Sequence, residues 1–307
     1  MDPKAYRSEE AGKVVLTKLG YWAFIPNPLP PEISWSSSLM SILSEAERDL
    51  SQLSTLIRAF PFPSLLIQPF MRFEAVLSSR IEGTHASLID VYTYETAQLS
   101  FFERTNDVRE VYNYVRAMNY GLERLETLPV SLRLIRELHE TLMEGVRGGS
   151  LAPGEFRRSQ NWIGPVGSTP ATAPYVPPPV EEMHKALDAF EKFIHTDTDI
   201  TPLIRAGMIH YQFEAIHPFL DGNGRVGRLL IVLLLCEWGL LSQPLLNLSV
   251  DIERYRQEYY DLLLGVSQQG AWEAWLRFFL RGVSEQARES VVRMERLQEI
   301  RAKFQPI

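Results

Sequence analysis

Apolar residues recur at spacings of three and four along most of the chain, which predicts a succession of amphipathic helices. Leu39, Ile42, Leu43, Ala46, Leu50 and Leu53 mark the first, from Ser36 to about Leu56. A Pro-containing link, FPFPSLLIQP, leads to a second helix over Phe70 to Glu82. There Phe73, Val76, Leu77 and Ile81 form an apolar face, while Glu74, Ser78 and Glu82 share another. Gly83 follows as a left-handed terminator should, which leaves Glu82 in a last turn whose dipole disfavours an anion. Either water solvates Glu82 or a cation from elsewhere in the fold holds it there. Further helices are traced from Glu103 to about Glu126 and from an N-cap at Ser131 to near Gly145. Two more run from Val180 to His195 and from Thr201 to Ile216. His139 lies beside Leu138 and Leu142 and reads as a packing or surface residue, and a metal shared between His210 and His217 is a less favoured reading. From Gly224 to about Gly239 the pattern is apolar on nearly all sides, so this helix belongs at the centre of a helical domain. Helices over 251–264, 270–283 and 284–304 bring the count to ten, and the last either packs back on the core or contributes to a homodimer.

Two stretches break the period. In residues 1–35, GYWAFIPNPLPPEI fixes an extended path and reads as an arm packed on the surface. Residues 146–179 are rich in Gly, Pro, Ser and Thr; FRRSQNWIG and ATAPYV flank a Gly/Pro turn and predict a β-hairpin, the one strand pair expected in the chain. A lone hairpin has to pack on the helices. Its exposed edge either receives an extended peptide or belongs to a plain structured loop. The fold class is therefore all-α with one hairpin.

Composition narrows the function only slightly. The 307 residues are 45% hydrophobic, enough for one large or two modest domains. Lys and Arg number 31 against 38 Asp and Glu, a net charge of −7, so nucleic-acid binding is not expected as the main function. Cys236 is the sole cysteine, which leaves no disulfide framework and no cysteine-based zinc site. No signal-peptide pattern opens the chain, and the apolar run from Leu229 meets Glu237 after eight residues, too short to span a bilayer. A soluble protein of a reducing cytoplasm is the expectation.

The chemistry concentrates in HPFLDGNGRVGR, from His217 to Arg228. Glycines let backbone N–H groups approach phosphate oxygens, and the helix start that follows adds a partial positive charge. Arg225 and Arg228, three apart, share one helix face and can fork onto successive phosphates. Asp221 suits a hard cation between those phosphates, and His217 at the entrance suits a general base of near-neutral pKa.

This stretch resembles the Fic family motif HPFx(D/E)GNGRxxR at every fixed position. EAVLSSRIEGT resembles that family's inhibitory motif (S/T)xxxE(G/N), here Ser78, Glu82 and Gly83; NWIGPVGSTPATAPYVPPP resembles its flap, and PNPLPPEI the segment preceding many bacterial Fic domains. The resemblance implies a Fic-fold helical domain over 101–283 and an N-terminal helical region over 1–100 that carries the inhibitory helix at about 70–82. A C-terminal helix over 284–307 follows.

It also implies a protein adenylyltransferase that moves AMP from ATP to a Ser, Thr or Tyr hydroxyl of a target protein, or of itself, with release of pyrophosphate. His217 is then the base. Asp221 binds Mg²⁺, with Mn²⁺ as an alternative; Gly222, Asn223 and Gly224 form the anion hole; Arg225 and Arg228 hold the β- and γ-phosphates. Phe219 anchors the loop, Tyr260 lines the adenine pocket, and the flap around Ile163 and Gly164 holds the target segment. An adenine-contacting asparagine of some relatives corresponds to Ser267 or Gln268. Glu82, with Ser78 in the same motif, pairs with Arg228 and so competes with the γ-phosphate. Removal of AMP from a modified target, use of another nucleotide or phosphocholine donor, and a non-catalytic interaction protein are the alternatives.

Overall fold

The computed structural model describes residues 1–60, 64–97, 105–146 and 151–304. The proline link at 61–63, the expected helix start at Glu103, the 100/101 boundary and the Gly148–Gly149 pair lie outside the described residues. Eleven α-helices and one two-stranded antiparallel sheet are present among the described residues.

The sheet is not where the hairpin was expected. Strands β1 (Gly12–Leu16) and β2 (Trp22–Pro26) pair in the N-terminal arm, so that the region expected to be helical over 1–100 opens with strands. The 146–179 stretch makes a single bridge, Ile163 to Tyr175. Prolines explain the exchange: Pro165, Pro170, Pro174 and Pro177 lack donors and interrupt any ladder, whereas GKVVL is free of them. Strand β2 also braces that stretch, because Phe24 N–H donates to Val176 O at 2.9 Å.

Helix α1 (Ser37–Ala59) is capped by Ser36, whose Oγ accepts from Leu39 N–H. Leu39, Leu43, Ala46, Leu50, Leu53 and Ile57 are buried on the expected face. Helix α2 (Ser64–Ile81) starts earlier than Phe70 and takes Pro69 into its second turn. Near a helix start Pro forfeits only one ladder bond, so the pattern cannot exclude it. Helix α3 (Leu88–Ala97) has no clear apolar period and was not expected. Helices α4 (Thr105–Arg124), α5 (Leu132–Leu142), α6 (Val180–His195) and α7 (Pro202–Ile216) agree with the pattern, and Ser131 caps α5 through Leu134 N–H.

Helix α8 (Asn223–Glu237) is sheathed by α4, α5 and α7 and is buried almost all round, as its composition requires. The 251–264 element divides at Tyr255 into α9 (Ser249–Arg254) and α10 (Arg256–Gln269). The last two expected helices are one, α11 (Trp272–Phe304), which runs about 50 Å at 1.5 Å per residue and lies along α1. The boundary at 283/284 therefore falls inside a helix. Gly282 is no breaker: a Cβ there would stand 3.1 Å from Leu248 and 3.4 Å from Asp251, so the glycine admits a close neighbour. Among the described residues no helix is long and apolar enough to cross a membrane.

Candidate active site

The site forms where α7 ends and α8 begins. Pro218 stops α7, and His217 caps it in the left-handed region, φ 48° and ψ 61°. The His217 Nδ1–H donates to Glu214 O at 3.3 Å, which leaves Nε2 as the unprotonated ring nitrogen. The Glu214 carboxylate stands 3.8 Å from the same Nδ1 and lies over Gly227, where a Cβ would meet its Oε1 at 2.4 Å. Burial foremost, with Glu82 adding to it against Arg228, pushes Glu214 up to about 8. Burial, then the Arg157 charge, pulls His217 down to about 4, below the near-neutral base expected.

Residues 219–223 form a tight loop closed on itself. Asn223 accepts from Phe219 N–H and donates to Phe219 O, both at 2.8 Å, so its amide shapes the loop rather than facing the cleft. Gly222 adopts φ 79°, and the Asp221 carboxylate accepts from Gly222 N–H at 2.6 Å. The side chain of Asp221 is 44% exposed, and Arg225 is 3.8 Å away. Nothing in the side chains caps α8, whose first N–H groups are the natural anion seat. The Glu82 carboxylate occupies the space beside them: a Cβ on Gly224 would touch its Oε1 at 2.2 Å.

Both arginines of the motif are held by carboxylates. Arg225 is buried and bonds Glu110 at 3.2 Å; Glu110 also accepts from Thr84 Oγ1 at 2.9 Å. Arg228, 2% exposed, donates Nε to Ser78 Oγ at 2.8 Å. Its Nη2 donates to Ser78 O at 2.9 Å and to Glu82 Oε1 at 2.7 Å. Burial would lift the Glu82 pKa, but the Arg228 charge and hydrogen bond, helped by Arg225 and His217, hold it below the usual carboxylate range. The polar face of α2 thus points inward along its length. Its first member, Glu74, bonds Ser249 through both backbone N–H and hydroxyl.

The remaining residues divide. Tyr260 is 39% exposed; burial, then the charges of Glu82 and Glu214 against that of Arg228, push its phenol up to about 12, which puts it on the rim of the same site. Ile163 is half-exposed at the bridge, and Gly164 leaves no room for a Cβ against Pro174 at 2.8 Å. Ser267 turns into the core to bond Tyr211. Both nitrogens of His210 are engaged, with Gly227 O and with Tyr259, so no metal links it to His217.

Four contributors were not legible. His139, read as a packing or surface residue, stacks on Phe219 at 3.7 Å, accepts from Gly154 N–H and donates Nε2–H to Asp221 O at 3.1 Å. Glu110, Arg157 and Asn161 are buried polar residues with no periodic signal to mark them.

The uncapped start of α8 is thus framed by a His, an Asp and two arginines. The chain matches the Fic/DOC family N-terminal model over residues 40–123 and the Fic/DOC family model over 129–235. It belongs to the Fic/DOC family. It is 28% identical over 202 residues to Protein adenylyltransferase Fic of Drosophila grimshawi, covering 64% of this chain and 38% of that one. The Drosophila erecta protein of the same name is 27% identical over 202 residues, with 64% and 37% covered. This chain thus spans little more than a third of the length of the curated relatives it matches. A Fic family protein from Desulfovibrio desulfuricans G20 shares the fold, with TM-score 0.70 at 22% identity over 86% of this chain and 77% of that one. So does Fic-1 from C. elegans, with TM-score 0.60 at 21% identity over 86% and 74%.

Proposed function

We propose that the chain is a protein adenylyltransferase, held off by Glu82, that transfers AMP from ATP to a hydroxyl of a target protein or of itself. The observation that carries this reading is the Arg228–Glu82 pair seated against the start of α8, beside a His217 whose Nε2 is free. The carboxylate stands where a polyphosphate oxygen would.

In the active state Glu82 leaves, and Arg228 with the first N–H groups of α8 receives the β,γ end of ATP. The Nε2 of His217 takes the proton of the target hydroxyl as its oxygen bonds the α-phosphorus. The bond from that phosphorus to the α,β-bridging oxygen breaks, and pyrophosphate carries away the charge. A base near pKa 4 is weak, yet the incoming phosphates raise it toward neutrality. Arg225 stays with Glu110, steadies the loop and adds positive charge beneath the phosphates. Asp221 is an accessible hard oxygen donor and fits Mg²⁺ (or Mn²⁺) held jointly with phosphate oxygens. When bound, such an ion neutralises charge on the leaving pyrophosphate. The flap at Ile163 and Gly164 offers a backbone edge to an extended target segment, and Tyr260 sits where the base of the nucleotide would lie. A reducing cytoplasm suits Cys236, whose thiol burial pushes up to about 12.

The test uses ATP labelled at one phosphate at a time, with Mg²⁺, on the Glu82→Gly protein. Label from the α-phosphate enters protein, whereas label from the γ-phosphate leaves with pyrophosphate. Entry of γ-label would mean phosphoryl transfer, and preference for GTP or UTP would change the donor. Release of AMP from a modified protein that requires Glu82 would identify the reverse reaction.

A further inference from the structure

Arg157 carries a buried charge with no acid beside it among the described residues. It is 2% exposed, and the other titratable groups that act on it are the phenols of Tyr175 and Tyr21. Burying an ion without a counter-ion is costly, so a fold retains one only for a return. Its guanidinium spends its donors on three carbonyls: Nε on His217 O at 3.1 Å, Nη1 on Ser159 O at 3.2 Å and Nη2 on Pro178 O. Its own backbone N–H donates to Pro218 O at 2.9 Å. Asn161, also buried, donates to the same His217 carbonyl at 3.1 Å and to Phe219 O at 2.7 Å. Tyr175 completes the attachment with a hydroxyl bond to Ala215 O at 2.8 Å. The base of the flap is thereby bolted to the backbone on both sides of His217. That residue needs such support, because a non-glycine residue at φ 48° is strained.

We infer that Arg157 is the positioning residue of the base: its fork fixes the His217 backbone and its charge stands beside that residue. This rests on the reading of His217 as base. Two charges and one backbone carbonyl act on that ring. Beyond burial, Arg157 from the flap base disfavours the protonated form; the Glu214 backbone carbonyl at the end of α7 and the Glu82 charge just past α2 favour it. Arg157 is thus the cation set against the Glu82 carboxylate, and it is in contact with the His217 backbone. The geometry also means that flap and base move as one body, so a target segment lying on the flap is in register with Nε2.

The two halves of the inference separate by substitution in the Glu82→Gly background. Arg157→Lys keeps the charge but cannot fork onto three carbonyls. Arg157→Gln and Arg157→Met lose the charge. Both classes should lower kcat about tenfold or more, with KM for ATP within about twofold, the pattern of a group that acts on the chemical step. The acid limb of the pH profile should stay in place for Lys and move up by about half a unit or more for Gln and Met. Imidazole titration of His217 by NMR in the full, inhibited chain should show the same division without any turnover. Asn161→Leu removes the second donor and leaves the charge, so it should lower kcat with the limb unmoved. Two uncharged variants guard against one that fails to fold. A limb and an NMR midpoint that stay put in the uncharged variants, or parental kcat in Arg157→Lys, overturn the inference. An inactive Glu82→Gly parent would instead overturn the adenylyltransferase reading, and the NMR titration would still decide what Arg157 does to His217.

Discussion

Glu82→Gly should label itself or a target with AMP at least about tenfold faster than the wild type, and should melt at a lower temperature. Both follow from the same contact. Arg228 is almost fully buried, and among the described residues its one carboxylate bond is to Glu82 at 2.7 Å. A tenfold rate gain corresponds to about 1.4 kcal/mol, a modest demand on a charge-assisted bond that the γ-phosphate would otherwise have to displace. Removing the glutamate leaves Arg228 buried with Ser78 as its hydrogen-bond partner among the described residues. Breaking a fully buried pair costs about 3–5 kcal/mol. The side chain of Glu82 is 33% exposed, so solvent screens the pair and about 1–3 kcal/mol is the better expectation. ATP should restore the lost stability in the variant more than in the wild type, since it supplies the missing anion. Calorimetric melting with and without ATP, alongside the labelling rate, measures both. Higher activity with an unchanged melt would mean that Glu82 acts at a distance rather than through Arg228.

His217→Ala in that background should lose labelling by about a hundredfold or more, the usual worth of a general base. Its ATP affinity should stay within about threefold, because the ring's polar bond is to Glu214 O rather than toward the phosphate seat. Isothermal titration with a non-hydrolysable ATP analogue separates the two quantities. Loss of binding together with activity would move His217 from the chemical step to the nucleotide pocket.

Much of this site could be read along the chain because its members are contiguous. The αL cap at His217, the loop closed by Asn223 and the buried α8 occupy one stretch of sequence. The polar face of α2 was also readable, since Glu74, Ser78 and Glu82 fall one helical turn apart. Residues that act from other elements left no trace. Arg157 and Arg158 are neighbours of identical chemistry, yet one is clamped in the core and the other has its side chain 89% exposed. Glu110 and His139 acquire roles only when α4 and α5 pack on α8. Local errors have a common cause in Pro and Gly, whose meaning depends on the partner. Gly282, inside the stretch read as two helices, is a close approach to α9. Prolines in the flap removed the donors that its apparent strands required.

The contest for Arg228 is tested most directly by comparing ATP with ADP, which differ in the γ-phosphate. Titration calorimetry on His217→Ala, with and without Glu82→Gly, avoids turnover. Removal of Glu82 should tighten ATP by about tenfold and ADP by clearly less. Equal gains for both nucleotides, or no gain for either, would contradict competition at that guanidinium.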